Sequence, residues 1–378
     1  MATPRPDFIR PSASRRRGHL RGTHLPCLLA LCTVAAAVAP AAAAVAQASP
    51  ERVKSPRPAA IARAPAVIAD ATIATPSLRR LVGPGSYWGG PFEAADGETV
   101  TVYFSNTYPQ DPTAGTRWAN FLAGLVHGAE LGALTVYLAP LTEVEDACGS
   151  GALACYAPGP SLLVAPGTDP SASISAEAVV THEYGHHVAA HRSNAPWAAV
   201  DYGTKRWASY EQVCARARSG DLAPGAEQAP AYERNPGEAF AETYRVLNER
   251  REGVPETPWN IVSQTLYPDA RALAAVQQDV LRPWRQPAAS SRAGSLATRA
   301  RTYTLATPLD GTLKVTLRPP ARALVVLDVF SPAGTRVAHA VASKAVSLTR
   351  TICGERSLRI RVIRLSGAGT FRLAIAAP

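Results

Sequence analysis

Two histidines four residues apart, with a glutamate directly after the first, constrain this chain more than any other feature. The segment is Val179-Val180-Thr181-His182-Glu183-Tyr184-Gly185-His186-His187-Val188. An α-helix turns once in about 3.6 residues, so on a helix His182 and His186 share one face. Two neutral imidazoles so placed can share one Zn²⁺ at about 2.0–2.1 Å. Imidazole donors suit zinc, whereas Mg²⁺ and Ca²⁺ take oxygen ligands. Glu183 adjoins the same face, where it can take a proton from water that zinc has made acidic. The pattern of the surrounding residues predicts a helix over 175–191 that carries the whole set.

A catalytic zinc needs a third protein ligand and keeps the fourth position for water. His191 is the nearest histidine. The H-E-x-x-H-x-x-G-x-x-H pattern, however, finds Ala189 at its glycine and Arg192 at its last histidine. Metalloproteases of that pattern also have a Met-turn, and the single methionine of this chain is Met1. The search moves to Asn235-Pro236-Gly237-Glu238-Ala239-Phe240-Ala241-Glu242-Thr243-Tyr244-Arg245. Asn235 as N-cap and Pro236 as first helical residue open a helix predicted over 236–250. Glu238 and Glu242 share a face of it; one can bind the metal while the other orients a ligand histidine. Two plainer roles compete. Glu238 stands three residues after the N-cap, where a capping box needs a carboxylate, and Glu242 can pair with Arg245 at i, i+3.

The pairing of His182-Glu183-Tyr184-Gly185-His186 with Glu238-Ala239-Phe240-Ala241-Glu242 resembles the gluzincin metallopeptidases. The likeness is closest to the catalytic domain of anthrax lethal factor and its relatives, with their H-E-F-G-H and E-F-F-A-E helices. It covers residues 97–285 and rests on these two short motifs. It implies zinc as cofactor, His182, His186 and Glu238 as its ligands, Glu183 as general base, and Glu242 behind a ligand histidine. It also implies a tyrosine near the third ligand to stabilise the oxyanion; Tyr232 stands close to that place, with Tyr202 and Tyr210 as competitors. A zincin-like fold follows, a twisted sheet plus active-site helices, whose edge strand pairs with extended peptide. Residues 161–165 are the expected edge.

The rest of the chain fits an exported protein. Six arginines against one acid precede an Ala-rich apolar run over 25–46, which ends in A-x-A-like sites near Ala46 and Ala48. That is the order of a secretory signal peptide, assigned to residues 1–48. Residues 49–80, rich in Ala, Pro and Arg, read as a linker or prosegment. Cys27 and Cys32 leave with the signal, and Cys148, Cys155, Cys214 and Cys353 remain. An even count in an exported chain favours disulfides. Cys148 and Cys155 close a short loop, and Cys214 pairs with Cys353 by elimination.

Residues 81–285 form the expected metallopeptidase domain, with strands at 99–104 and 134–138 and a helix at 118–127. Further helices are expected at 203–218 and 269–283. Strands before helices suggest α+β. Residues 286–378 carry short apolar or alternating stretches between turn signals such as Asp310-Gly311 and Ser331-Pro332-Ala333-Gly334, the pattern of a small all-β sandwich. The charge divides between the two. The formal net charge of +10 leaves +11 on residues 286–378 and −6 on residues 49–285. The basic module offers attraction to an anionic envelope polymer. It has few aromatic residues and no recognised nucleic-acid motif, which argues against specific nucleic-acid binding. The sequence thus predicts a secreted zinc peptidase acting on peptide or protein substrates, with no transmembrane segment in the mature chain. The alternative is an inactive zincin scaffold that binds the envelope through its basic β-domain.

Overall fold

Alternation of apolar side chains along the first strands decides how the amino-terminal half is layered. The structure is a computed structural model and describes residues 86–258 and 261–378. The signal peptide and the segment 49–80 lie outside the described residues. β1 (Tyr87–Glu93), β2 (Thr99–Ser105), β3 (Thr135–Ala139), β4 (Cys155–Ala157) and β5 (Leu162–Pro166) form one sheet in the order β1-β2-β3-β5-β4. β2, β3 and β5 are parallel, and the two outer strands run antiparallel to their neighbours. Val136 and Leu138 of β3 and Leu163 and Ala165 of β5 face one core. Tyr137, Ala139, Leu162 and Val164 face another. Side chains alternate across a strand, so a sheet covered on both faces reads as a continuous apolar run.

Helix α1 (Ala114–Gly124) packs on the first face, where Trp118, Ala119 and Leu122 are buried. Helix α2 (Leu141–Cys148) covers the second face with Val144 and Cys148. Cys148 is bonded to Cys155 at the start of β4. After the sheet come α3 (Ala176–Ala190), α4 (Ala199–Tyr202), α5 (Lys205–Tyr210), α6 (Val213–Arg218), α7 (Pro236–Glu252) and α8 (Ala270–Leu281). α3 and α7 pack on each other and share the large core with α1 and the sheet.

Two expectations are corrected. The strand at 161–165 is not an edge: β5 lies inside the sheet, and β4 forms the edge beyond it. The prolines flanking that run suggested an edge, but Pro166 ends the strand, where its missing N–H costs no interior pairing. The helix at 203–218 is two helices. Gln212 takes left-handed φ, ψ of 54° and 34°, which breaks the chain direction between α5 and α6 and aims Cys214 at Cys353.

Residues 288–377 form two four-stranded antiparallel sheets. With β6 (Ala288–Ser295), β7 (Ala300–Ala306), β8 (Gly311–Arg318), β9 (Leu324–Phe330), β10 (Arg336–Ala342), β11 (Val346–Ile352), β12 (Ser357–Ser366) and β13 (Thr370–Ala377), the orders are β10-β9-β12-β7 and β11-β8-β13-β6. Leu358, Ile360 and Val362 of β12 enter the core, and Arg359 and Arg361 between them face solvent. This is the alternation the sequence predicts. The chain is therefore α+β followed by a β-sandwich.

The sandwich is fastened to the helical half. Cys214 is bonded to Cys353. Buried Lys205 donates from Nζ to the carbonyls of Ala195 at 2.7 Å and Asp310 at 2.9 Å, and it stands over the Trp284 ring at 4.4 Å. Ser209 Oγ accepts from the Asp310 amide at 2.9 Å. Among the described residues no helix is long and apolar enough to cross a membrane.

Candidate metal centre

Helix α3 is buried nearly all round, the mark of a helix inside a core. Ser175 caps it, its hydroxyl accepting from the Ala178 amide at 3.0 Å. α7 is capped by Asn235, whose side-chain Oδ1 accepts from the Gly237 amide at 2.9 Å. α7 ends at Gly253 in the left-handed conformation, a common helix stop. The two helices touch backbone to backbone. A Cβ placed on Gly185 would stand 2.7 Å from Ala241 Cα. Gly185 lies between His182 and His186, and Ala241 between Glu238 and Glu242. The small pair therefore lets the two motifs face each other.

At this crossing His182 Nε2 lies 3.3 Å and His186 Nε2 3.5 Å from the same oxygen, Glu238 Oε2. One donor atom from each of the three residues falls within 4.8 Å of the others, and all three residues are buried. A tetrahedral ion with bonds of roughly 2.0–2.1 Å holds its donors about 3.3–3.4 Å apart. The two histidine-to-carboxylate distances are close to that spacing, and with its donor set the His182–His186–Glu238 group could hold a metal ion. The capping-box role for Glu238 is not the arrangement observed, since its carboxylate turns to the histidines. The Glu242–Arg245 pair does form, both carboxylate oxygens accepting from Arg245. Glu242 Oε2 also lies 3.5 Å from His182 Nδ1, as a carboxylate orienting a ligand histidine does. Arg245 contacts Glu249 as well.

The charges are tightly bound to one another. Burial alone would lower the His182 pKa, but its bonds to Glu238 and Glu242 outweigh that and raise it to about 9. Burial acts to raise the Glu238 pKa, and the His186 charge and the bonds to both histidines overturn it, holding the carboxyl well below its usual range. Glu183 is fully buried on the same helix, and its charge acts on His182. Tyr232 donates its hydroxyl to Glu238 Oε2 at 2.6 Å, so the structure brings it to the group. The competing tyrosines lie elsewhere: Tyr210 donates to Asp269 at 2.6 Å, and Tyr202 stacks on Trp197. His191 is the C-cap of α3, its Nδ1 3.0 Å from the His187 carbonyl, and it is not part of the group.

Several contributors escape the sequence. His187 follows His186 and points the other way. Its Nε2 donates to the Glu130 carbonyl at 2.8 Å. Nδ1 must then accept, and Tyr156 donates to it at 2.9 Å. Burial drives the His187 pKa down to about 4, so the ring is neutral. This bond ties edge strand β4 to α3. A cavity of about 70 Å³ opens at His186 and Glu238, with Tyr156, Pro158, Val200, Asp201, Gly225, Glu227 and Asn235 also in its wall. A wider depression of about 760 Å³ adjoins it through Pro158 and Val200 and runs along the loop that follows α3. No local motif marks Tyr156, Asp201 or Glu227, because each reaches the site from a separate element: strand β4, helix α4 and the loop before α7.

No family model matches the chain, and no curated protein matches it. Solved structures it is similar to include a mitogen from Yersinia pseudotuberculosis, at 12% identity over 24% of this chain and 87% of that one, with a TM-score of 0.21. The pre-peptidase C-terminal domain of a Bacillus anthracis collagenase gives 13% identity over 23% of this chain and 87% of that one, with a TM-score of 0.21. The periplasmic inhibitor of g-type lysozyme from Aeromonas hydrophila gives 12% identity over 24% of this chain and 85% of that one, with a TM-score of 0.19. Scores this low leave function to be argued from the residues.

Proposed function

We propose that the chain is a secreted zinc peptidase of the gluzincin type, with His182, His186 and Glu238 as metal ligands and Glu183 as general base. The observation that carries this reading is the convergence of two imidazole nitrogens on one carboxylate oxygen at 3.3 and 3.5 Å, at the end of a cavity. Two imidazoles and one carboxylate are a donor set suited to zinc. The zincin reading of the fold is supported by the antiparallel edge strand β4, whose Tyr156 borders the cavity. An extended peptide adding to that edge would lie beside the metal group.

A zinc ion held by His182, His186 and Glu238 would polarise the scissile carbonyl and lower the pKa of a water so that it can give up a proton near neutral pH. Glu183 takes the proton of that water and passes it to the leaving amine. Glu242 holds His182 by Nδ1, which leaves Nε2 directed at the metal group. Arg245 in turn fixes Glu242. Tyr232 serves the oxyanion by exchanging its bond to Glu238 for one to the substrate.

The test is zinc quantification together with a peptide-library cleavage assay. Glu183→Gln keeps stoichiometric zinc and loses hydrolysis by about 10²–10⁴-fold. Full activity in that variant sinks the mechanism. Glu238→Ala loses the metal, and unchanged zinc content would move the third ligand elsewhere. A second reading, binding of an anionic envelope polymer through the sandwich, is favoured by the exposed Arg359 and Arg361. Binding that weakens as salt rises is its signature.

A further inference from the structure

The wall of the metal cavity is more acidic than metal binding requires. Glu238, Asp201 and Glu227 all line it, and no lysine or arginine does among the described residues. A divalent ion on the His182–His186–Glu238 group would still leave Asp201 and Glu227 as acidic wall residues beside it.

The acids are held in place by the same residues that set the ligand helix. Asn235 caps α7 and also accepts from the Gly225 amide at 3.2 Å and donates to the Ala226 carbonyl at 3.1 Å. That fixes the loop before Glu227 to the first turn carrying Glu238. Gly237 brings this turn against α4: a Cβ there would stand 2.3 Å from the Val200 carbonyl oxygen. Asp201 follows Val200, and its carboxylate lies against Gly225, 3.4 Å from where a Cβ on that residue would be. Burial raises the Asp201 pKa, and the Glu227 charge adds to it. The two carboxylates thus act on each other across the cavity. The metal group opens into the same space, which marks the cavity as a ligand site independently of the two acids.

We propose that Asp201 and Glu227 form a specificity subsite that binds an organic cation of the substrate, an ammonium or guanidinium, beside the bond to be cleaved. This rests on the peptidase reading and narrows it to peptides with a positive charge next to that bond. An organic cation there would offset the acidic charge that Asp201 and Glu227 give this wall. Its source is either a free peptide N-terminus or a lysine or arginine side chain.

Four short peptides separate the sources: an arginine peptide and its citrulline counterpart, each with a free and an acetylated N-terminus. Zinc-loaded Glu183→Gln protein is titrated with each by calorimetry, so that binding is read without turnover. The arginine or free-amine member binds at least tenfold tighter than its neutral counterpart. The advantage shrinks as salt rises. It is lost in Asp201→Asn and in Glu227→Gln, each checked for unchanged zinc content and melting temperature. Glu227 is exposed, so its substitution keeps the test open if Asp201→Asn fails to fold. Sensitivity to acetylation identifies the N-terminus, and sensitivity to citrulline identifies the side chain. Equal binding of charged and neutral peptides overturns the inference, as does a preference that survives Glu227→Gln. If wild-type protein cleaves both kinds equally, the inference falls and the peptidase reading stands. If it holds no zinc and cleaves neither, the peptidase reading itself has failed.

Discussion

Gly185→Ala adds one methyl group where α3 meets α7, and its cost follows from one distance. The new Cβ stands 2.7 Å from Ala241 Cα and 3.1 Å from both the Ala241 Cβ and carbonyl oxygen. Ordinary contact begins at 3.4 Å, so the helices must separate by about 0.7 Å, because backbone cannot swing away as a side chain does. Alanine in a helix gains about 1 kcal/mol over glycine. Overpacking of a core costs about 1–3 kcal/mol, so the net loss is up to about 2 kcal/mol. The effect on metal is larger. The displacement runs between the two histidines and Glu238, and a metal site tolerates about 0.2 Å in its bonds. Zinc affinity should fall by about 10–100-fold, the range seen when ligand positioning is lost. Competition against a chromophoric chelator measures it, with thermal melting alongside. Gly124→Ala is the control, since a Cβ there meets nothing within 4 Å. Unchanged zinc affinity and stability in Gly185→Ala would refute the claim that this crossing sets the ligand distances.

Three further outcomes follow from the same structure. Zinc uptake at pH 7 should release at least one proton, because the His182 pKa is raised to about 9 in the metal-free group and zinc needs neutral rings. Affinity then rises with pH from 7 and levels off above 9, and calorimetry in buffers of different ionisation enthalpy counts the proton; none released means His182 is already neutral. Replacing Cys214 and Cys353 by serine opens a loop with a sequence separation of 139. The chain-entropy relation sets the loss at up to about 5 kcal/mol, read by denaturant unfolding, and an unchanged midpoint refutes the role. Tyr156→Phe leaves His187 Nδ1 without its donor and should cost about 1–3 kcal/mol in the same assay.

Much of the site was legible because helical periodicity is local. His182, Glu183 and His186, and likewise Glu238 and Glu242, could be placed on common faces from spacing alone. The absence of an internal methionine moved the search for a third ligand from His191 to Glu238, and the structure places Glu238, not His191, beside His182 and His186. The short Cys148–Cys155 loop was equally local. The edge strand was misplaced because edge or interior depends on what pairs beyond a strand, and β4 is only a three-residue strand. The break at Gln212 was missed because no glycine or proline announces it.

The sequence by itself determined which residues can bind a metal, which faces of helix and strand are apolar, and where charge accumulates. Each follows from covalent order and a fixed period of 3.6 or 2. Only the tertiary structure decided that Gly185 and Ala241 meet, that Glu242 serves both His182 and Arg245, and that Tyr156 braces α3 through His187. It also decided that Asp201 and Glu227 share the cavity with the metal group. Those facts depend on contacts between residues far apart in the chain, whose distances are set by packing and carry no period a sequence can display.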